Sequence, residues 1–168
     1  MNLFLLRHGI AVDRNAKDFP DDSLRPLTSG GEKRLRLAGE AMRQLKLPVD
    51  VILCSPFLRT RQTAEIIAPS LRLRSALRLH EELMPSGDRR KLIRHINRIA
   101  SQTDNILLVG HEPYLGELLS VLISGSATVA VDFKKGGLAR LHVAQRLEFG
   151  RCATLKWLVT PRQLALLS

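Results

Sequence analysis

Cysteine, aromatic residues and long apolar runs are all scarce in this 168-residue chain, and each scarcity removes a class of protein. The two cysteines, Cys54 and Cys152, cannot build a disulfide framework, and their separation excludes a CxxC metal or redox motif. A reduced, cytoplasmic compartment is the corresponding expectation. Aromatic residues make up 4% of the chain, too few for the stacking surface that single-strand nucleic-acid binders use. No apolar stretch approaches the ~18–20 residues needed to cross a bilayer, so no membrane partner is expected. Residues 1–6 lack a basic n-region and Arg7-His8 interrupts their apolar run, which argues against a secretory signal. No repeat, low-complexity tract or Pro/Gly/Ser linker divides the chain, so residues 1–168 are expected to form a single domain. Neither an Asp-x-Asp nor a His-x-His pair offers a metal a cage, so the expectation is no metal and no cofactor.

Acidic residues are in deficit too. Sixteen Asp and Glu face 26 Lys and Arg, a formal charge of +10, and 19 of the 26 cations are arginine. That balance implies an anionic partner: nucleic acid, a membrane surface or a phosphorylated substrate. The helix over 88–100, with Arg89, Arg90, Lys91, Arg94 and Arg98, would suit nucleic acid. No helix-turn-helix, zinc-finger, RNP or GxxG pattern accompanies it.

Apolar runs at Asn2–Leu6, Val51–Cys54 and Asn105–Gly110 read as buried strands. Residues 10–28, polar and holding Pro20 and Pro26, read as a loop. Ser29-Gly30-Gly31-Glu32 has capping-box spacing and opens a helix to about Lys46. Ser55-Pro56 supplies an N-cap and an N1 proline for a helix to about Ala68. Residues 71–79 suggest a short edge strand, Gly87-Asp88 starts a helix to about Ala100, and Glu112-Pro113 starts another ending near Gly125. Val129–Phe133, Leu138–Val143 and Ala153–Val159 then read as strands, the first two joined by a Lys134-Lys135-Gly136-Gly137 turn. Strands alternating with helices predict a three-layer α/β/α sandwich with a mainly parallel central sheet and antiparallel C-terminal strands.

In such sheets ligands bind beyond the carboxyl ends of the strands. Arg7-His8-Gly9 follows the first strand, Ser55-Pro56 and Arg59 the second, and His111 the Asn105–Gly110 strand. Taken singly, these are a strand-end histidine, a surface cation and a helix cap. Taken together, two histidines and two arginines beside two helix starts form a site suited to a phosphoryl group. Arg61, two residues from Arg59, points to another side of its helix and reads as solvated.

Arg7-His8-Gly9 behind an apolar strand, Ser55-Pro56-x-x-Arg59-x-x-Gln62-Thr63-Ala64 and Gly110-His111 together resemble the histidine phosphatase superfamily, with its phosphoglycerate-mutase-like fold. Arg25-Pro26-Leu27-Thr28 and Glu82-Leu83-x-Pro85-x-Gly87-Asp88 are similar to its small bacterial branch, the SixA-type phosphohistidine phosphatases. The resemblance implies that His8 is a nucleophile forming a transient phosphohistidine, and that Arg7, Arg25 and Arg59 grip the phosphate. His111 would add a donor, best as the imidazolium. Glu82 is the candidate proton donor, with an ordinary loop Glu as the competing reading. A leaving imidazole relaxes the demand for an acid, which favours a phosphohistidine-containing protein domain as substrate and signalling as the setting. A small-molecule phosphate monoester is the alternative, and a basic nucleic-acid-binding protein the alternative from another class. The resemblance further implies a monomer.

Overall fold

The computed structural model describes residues 1–167. Its centre is a six-stranded sheet built from β1 (Asn2–Arg7), β2 (Val51–Cys54), β3 (Leu77–Leu79), β4 (Asn105–Gly110), β5 (Leu138–Val143) and β6 (Ala153–Val159). The strand order is β3-β2-β4-β1-β5-β6. β3, β2, β4 and β1 run parallel, whereas β5 lies antiparallel to β1 and β6 antiparallel to β5.

Helices cover both faces, which is why the central strands are apolar throughout instead of alternating. Leu3, Leu5, Leu53, Ile106 and Leu108 face one layer, formed by α3 (Arg89–Ile99) and α4 (Tyr114–Ser124). Phe4, Leu6, Ile52, Leu107 and Val109 face the other, formed by α1 (Ser29–Gln44), α2 (Leu58–Ile67) and α5 (Pro161–Ala165). The expected three-layer α/β/α sandwich is the observed fold.

Four local departures have physical causes. The cap of α1 is Thr28, one residue before the expected Ser29, because Thr28 Oγ1 both accepts from Gly31 N and donates to the Ile10 carbonyl. Helix α2 begins at Leu58, because the Ser55 hydroxyl bonds His111 instead of capping the helix in full. Val129–Phe133 forms no strand. Its backbone bonds go to side chains instead of a neighbouring strand: Val129 N donates to Ser120 Oγ, and Phe133 O accepts from Arg7. Finally, α5 was not expected, although Thr160-Pro161-x-Gln163 is a capping box with an N1 proline and forms as one.

Candidate active site

β1 and β4 are in register at their carboxyl ends, Arg7 opposite Gly110, so the residues that follow, His8 and His111, emerge side by side. His8 N donates to the Gly110 carbonyl at 3.0 Å, and the two imidazole rings lie 5.3 Å apart. From β2, the first turn of α2 brings Arg59 to the same point. Its Nε donates to His8 Nε2 at 3.3 Å. Arg7, His8, Arg59 and His111 line one cavity of about 610 Å³, and Arg25 lines it too.

The nucleophilic atom of His8 can be read from its hydrogen bonds. Nδ1 lies 2.7 Å from the Gly9 carbonyl, an acceptor only, so Nδ1 carries the hydrogen. Nε2 is left with its lone pair, beside the Arg59 guanidinium. Burial lowers the His8 pKa to about 3 against the opposing Gly9 bond, and the charges of His111, Arg59 and Arg7 add to the lowering. His111 is likewise lowered to about 3, by burial first and then by Arg59. Burial thus favours the neutral form of both rings at neutral pH, against the imidazolium that the resemblance implies at His111. Its Nε2 lies 2.8 Å from Ser55 Oγ, and Phe57 packs edge-on against the ring at 5.1 Å.

Asp22, a residue the sequence reading passed over, organises the arginines. One carboxylate oxygen, Oδ1, accepts from Arg25 Nε at 2.8 Å, with Arg25 Nη2 also 2.8 Å away. The other, Oδ2, accepts from Arg59 Nη2 at 2.9 Å, and the Asp22 carbonyl accepts from Arg59 Nη1 at 2.7 Å. Burial raises the Asp22 carboxyl, but the charges and hydrogen bonds of Arg59 and Arg25 outweigh it and hold the pKa below its ordinary value. Arg25 is also tied to the Val12 carbonyl, so the loop over 10–28 reaches the site through its own arginine. Gln62 Oε1 accepts from Leu27 N, and Thr63 Oγ1 accepts from Gly9 N. The Gln62-Thr63 pair of the motif thus fastens α2 to both the loop and the nucleophile.

Arg7 is placed from the other side. Its Nη1 donates to the Phe133 carbonyl at 2.6 Å, its backbone N–H to Gly137 O, and its carbonyl accepts from Gly136 N. Gly136 has φ +78°, a conformation that glycine adopts without strain, so the turn lies against the end of β1. The Lys134–Gly137 turn therefore borders the site and does not join two strands. Arg7 Nε and His111 Nδ1 are buried and have no hydrogen-bond partner among the described residues.

Glu82 is not brought to the cavity. Its Oε2 accepts from Asp88 N at 2.7 Å at the start of α3, and Lys91 lies 3.8 Å from Oε1. Glu112, which follows His111, lines the cavity instead. Burial raises its pKa against the opposing Gly116 N–H bond and Arg7 charge. Arg61 sits outside, near Glu65 on the surface of α2.

A sequence model of the histidine phosphatase superfamily (branch 1) matches residues 3–85. The phosphohistidine phosphatase SixA of Escherichia coli is 33% identical over 126 residues, 74% of this chain and 76% of that protein. The chain belongs to the histidine phosphatase superfamily. Among solved structures, protein histidine phosphatase SixA complexed with tungstate superposes with a TM-score of 0.83 at 28% identity, covering 98% of this chain and 99% of that one. An α-ribazole-5'-P phosphatase of Escherichia coli shares the fold, with a TM-score of 0.69 at 22% identity over 96% and 98% of the two chains. In this member of the superfamily three buried or half-buried arginines, Arg7, Arg25 and Arg59, line the same cavity as the His8 imidazole. Among the described residues no His/Cys/Asp/Glu cluster could hold a metal ion, and no helix is long and apolar enough to cross a membrane.

Proposed function

We propose that this histidine phosphatase hydrolyses phosphohistidine on a protein substrate. The observation that carries the chemistry is His8: Nδ1–H is committed to the Gly9 carbonyl, and Nε2 keeps its lone pair beside Arg59. In the first step Nε2 forms a bond to phosphorus as the bond to the leaving nitrogen breaks, and the leaving imidazole takes a proton. In the second, water attacks the phosphohistidine on His8, which regains its lone pair as inorganic phosphate departs. Arg7, Arg25 and Arg59 hold the phosphoryl oxygens, and His111 donates to one of them as a neutral imidazole. These donors are in place before the reaction, so their stabilisation of the transition state costs little reorganisation.

Proton delivery passes to Glu112 in this reading, because Glu112 lines the catalytic cavity and Glu82 does not. Asp22 cannot serve, being held ionised by two arginines. A raised pKa lets Glu112 carry a proton closer to neutrality than an ordinary carboxyl. Imidazole leaves more readily than an alkoxide, so a single weak donor suits a phosphoramidate better than a serine phosphate.

Phosphate release from a phosphohistidine peptide, a phosphoserine peptide and a sugar phosphate tests the assignment. The phosphohistidine peptide is expected to be cleaved at least about a hundredfold faster than either ester, a difference of ~2.7 kcal/mol in barrier. Equal or faster turnover of the sugar phosphate would make this a small-molecule phosphatase. Glu112→Gln should slow the residual ester hydrolysis more than phosphohistidine hydrolysis, and Glu82→Gln should spare both.

A further inference from the structure

A second cavity of about 610 Å³ adjoins the catalytic one and shares Arg7, Ile10 and Lys135 with it. Its remaining lining includes Arg34 of α1, Lys134 of the turn before β5, and Pro161 and Arg162 of α5. No carboxylate lines it. Lys134 is paired with Asp132 at 2.8 Å, but among the described residues Arg34, Lys135 and Arg162 have no acidic partner. The outward arginines of α1 are matched within their own helix, Arg36 by Glu32 and Arg43 by Glu40. Arg34, on the same helix, has no such partner among the described residues.

This basic rim is held in a fixed relation to the nucleophile. Gly136 N donates to the carbonyls of both Arg7 and His8, which fixes Lys135 at the mouth shared by the two cavities. A Cβ at Gly136 would sit 3.2 Å from Pro161 Cγ, so the turn's glycine lets α5 pack close, and Arg162 comes with it. The floor is apolar, from Ile10 and Pro161, and holds no aromatic side chain on which a base could stack.

We propose that this groove receives a carboxylate-rich segment of the protein substrate, with Arg34 and Arg162 selecting acidic residues beside the phosphorylated side chain. The inference rests on the phosphoprotein reading above and adds the chemical character of the partner's surface. Unpaired rim cations act mainly by drawing in and orienting an oppositely charged partner, and that action weakens with salt.

Binding is read without turnover. A fluorescent peptide carrying one histidine flanked by six glutamates, and its glutamine counterpart, are titrated by anisotropy against wild type and R34E/R162E. Neither substituted residue lines the catalytic cavity. Wild type should bind the glutamate peptide at least about tenfold more tightly than the glutamine one at low salt. R34E/R162E should abolish that preference while keeping wild-type kcat on phosphoramidate, which also reports that it is folded. Retained preference in R34E/R162E, or equal binding of the two peptides by wild type, would overturn the proposal. So would tighter wild-type binding of a single-stranded oligonucleotide of equal charge. Failure of the phosphohistidine reading looks different: no phosphate is released from phosphohistidine while an ester is cleaved, whatever the peptides bind.

Discussion

Acidification from pH 7 to pH 5 is expected to destabilise this protein through two residues, His8 and His111. Each has a pKa of about 3 when folded, against ~6.5 in the unfolded chain. The native site refuses a proton that the unfolded chain accepts. Stability is therefore complete above pH ~6.5 and is lost as the pH falls from there toward 3. At pH 5 an unfolded histidine lies 1.5 units below its ~6.5 pKa, which corresponds to about 2 kcal/mol per group, or about 4 kcal/mol for the pair. His80 and His95, whose pKa values burial also lowers, add in the same direction. Carboxylates such as Asp22, with pKa values below the ordinary range, contribute chiefly under pH ~4, and Glu112, whose pKa burial raises, acts in the opposite direction, so it is the histidine variants that isolate the imidazoles. Urea unfolding in phosphate-free buffer at pH 7 and pH 5 measures the effect. His8→Asn and His111→Asn should each reduce the pH-dependent loss by about 2 kcal/mol, or roughly 4–8 °C in the corresponding Tm shift. Variants that retain the full wild-type loss would refute the claim that both rings are held neutral by burial.

Asp22→Asn removes the anion shared by Arg25 and Arg59 and should lower kcat/KM about ten- to a hundredfold, ~1.4–2.7 kcal/mol. That is the scale of one charge-assisted hydrogen bond to a buried group, and Asp22→Glu should recover part of it in the same steady-state assay. Gly31→Ala would put a Cβ 2.2 Å from the Ile10 carbonyl oxygen. Chemical denaturation should show a loss on the order of 1–3 kcal/mol, together with weaker phosphate inhibition, because the displaced loop carries Asp22 and Arg25.

The central strands were legible because burial on both faces leaves uninterrupted apolar runs, and the helices because caps such as Asp88 and Gly125 bracket them. Val129–Phe133 misled through genuine alternation: Phe133 is buried in the core, yet its carbonyl serves Arg7 and no neighbouring strand. Ser55-Pro56 carried two signals at once, and the hydrogen bond to His111 won over the cap. Arg7, His8, Arg59 and His111 could be located because each lies at a strand end or a short, fixed distance beyond one. Asp22 could not. It is one of four aspartates, with Asp13, Asp18 and Asp21, in an aperiodic loop, and only the folded path of residues 10–28 selects it. Glu82 failed for the opposite reason: its spacing fits an acid, but Asp88 N–H and Lys91 claim its carboxylate.

Rapid-quench mass spectrometry during turnover of a phosphohistidine peptide bears most directly on the proposed mechanism. The account predicts a burst of acid-labile phosphate covalently attached to His8, absent from His8→Ala, which should also lose turnover. Near-wild-type hydrolysis by His8→Ala, or phosphate trapped on His111 instead, would contradict it.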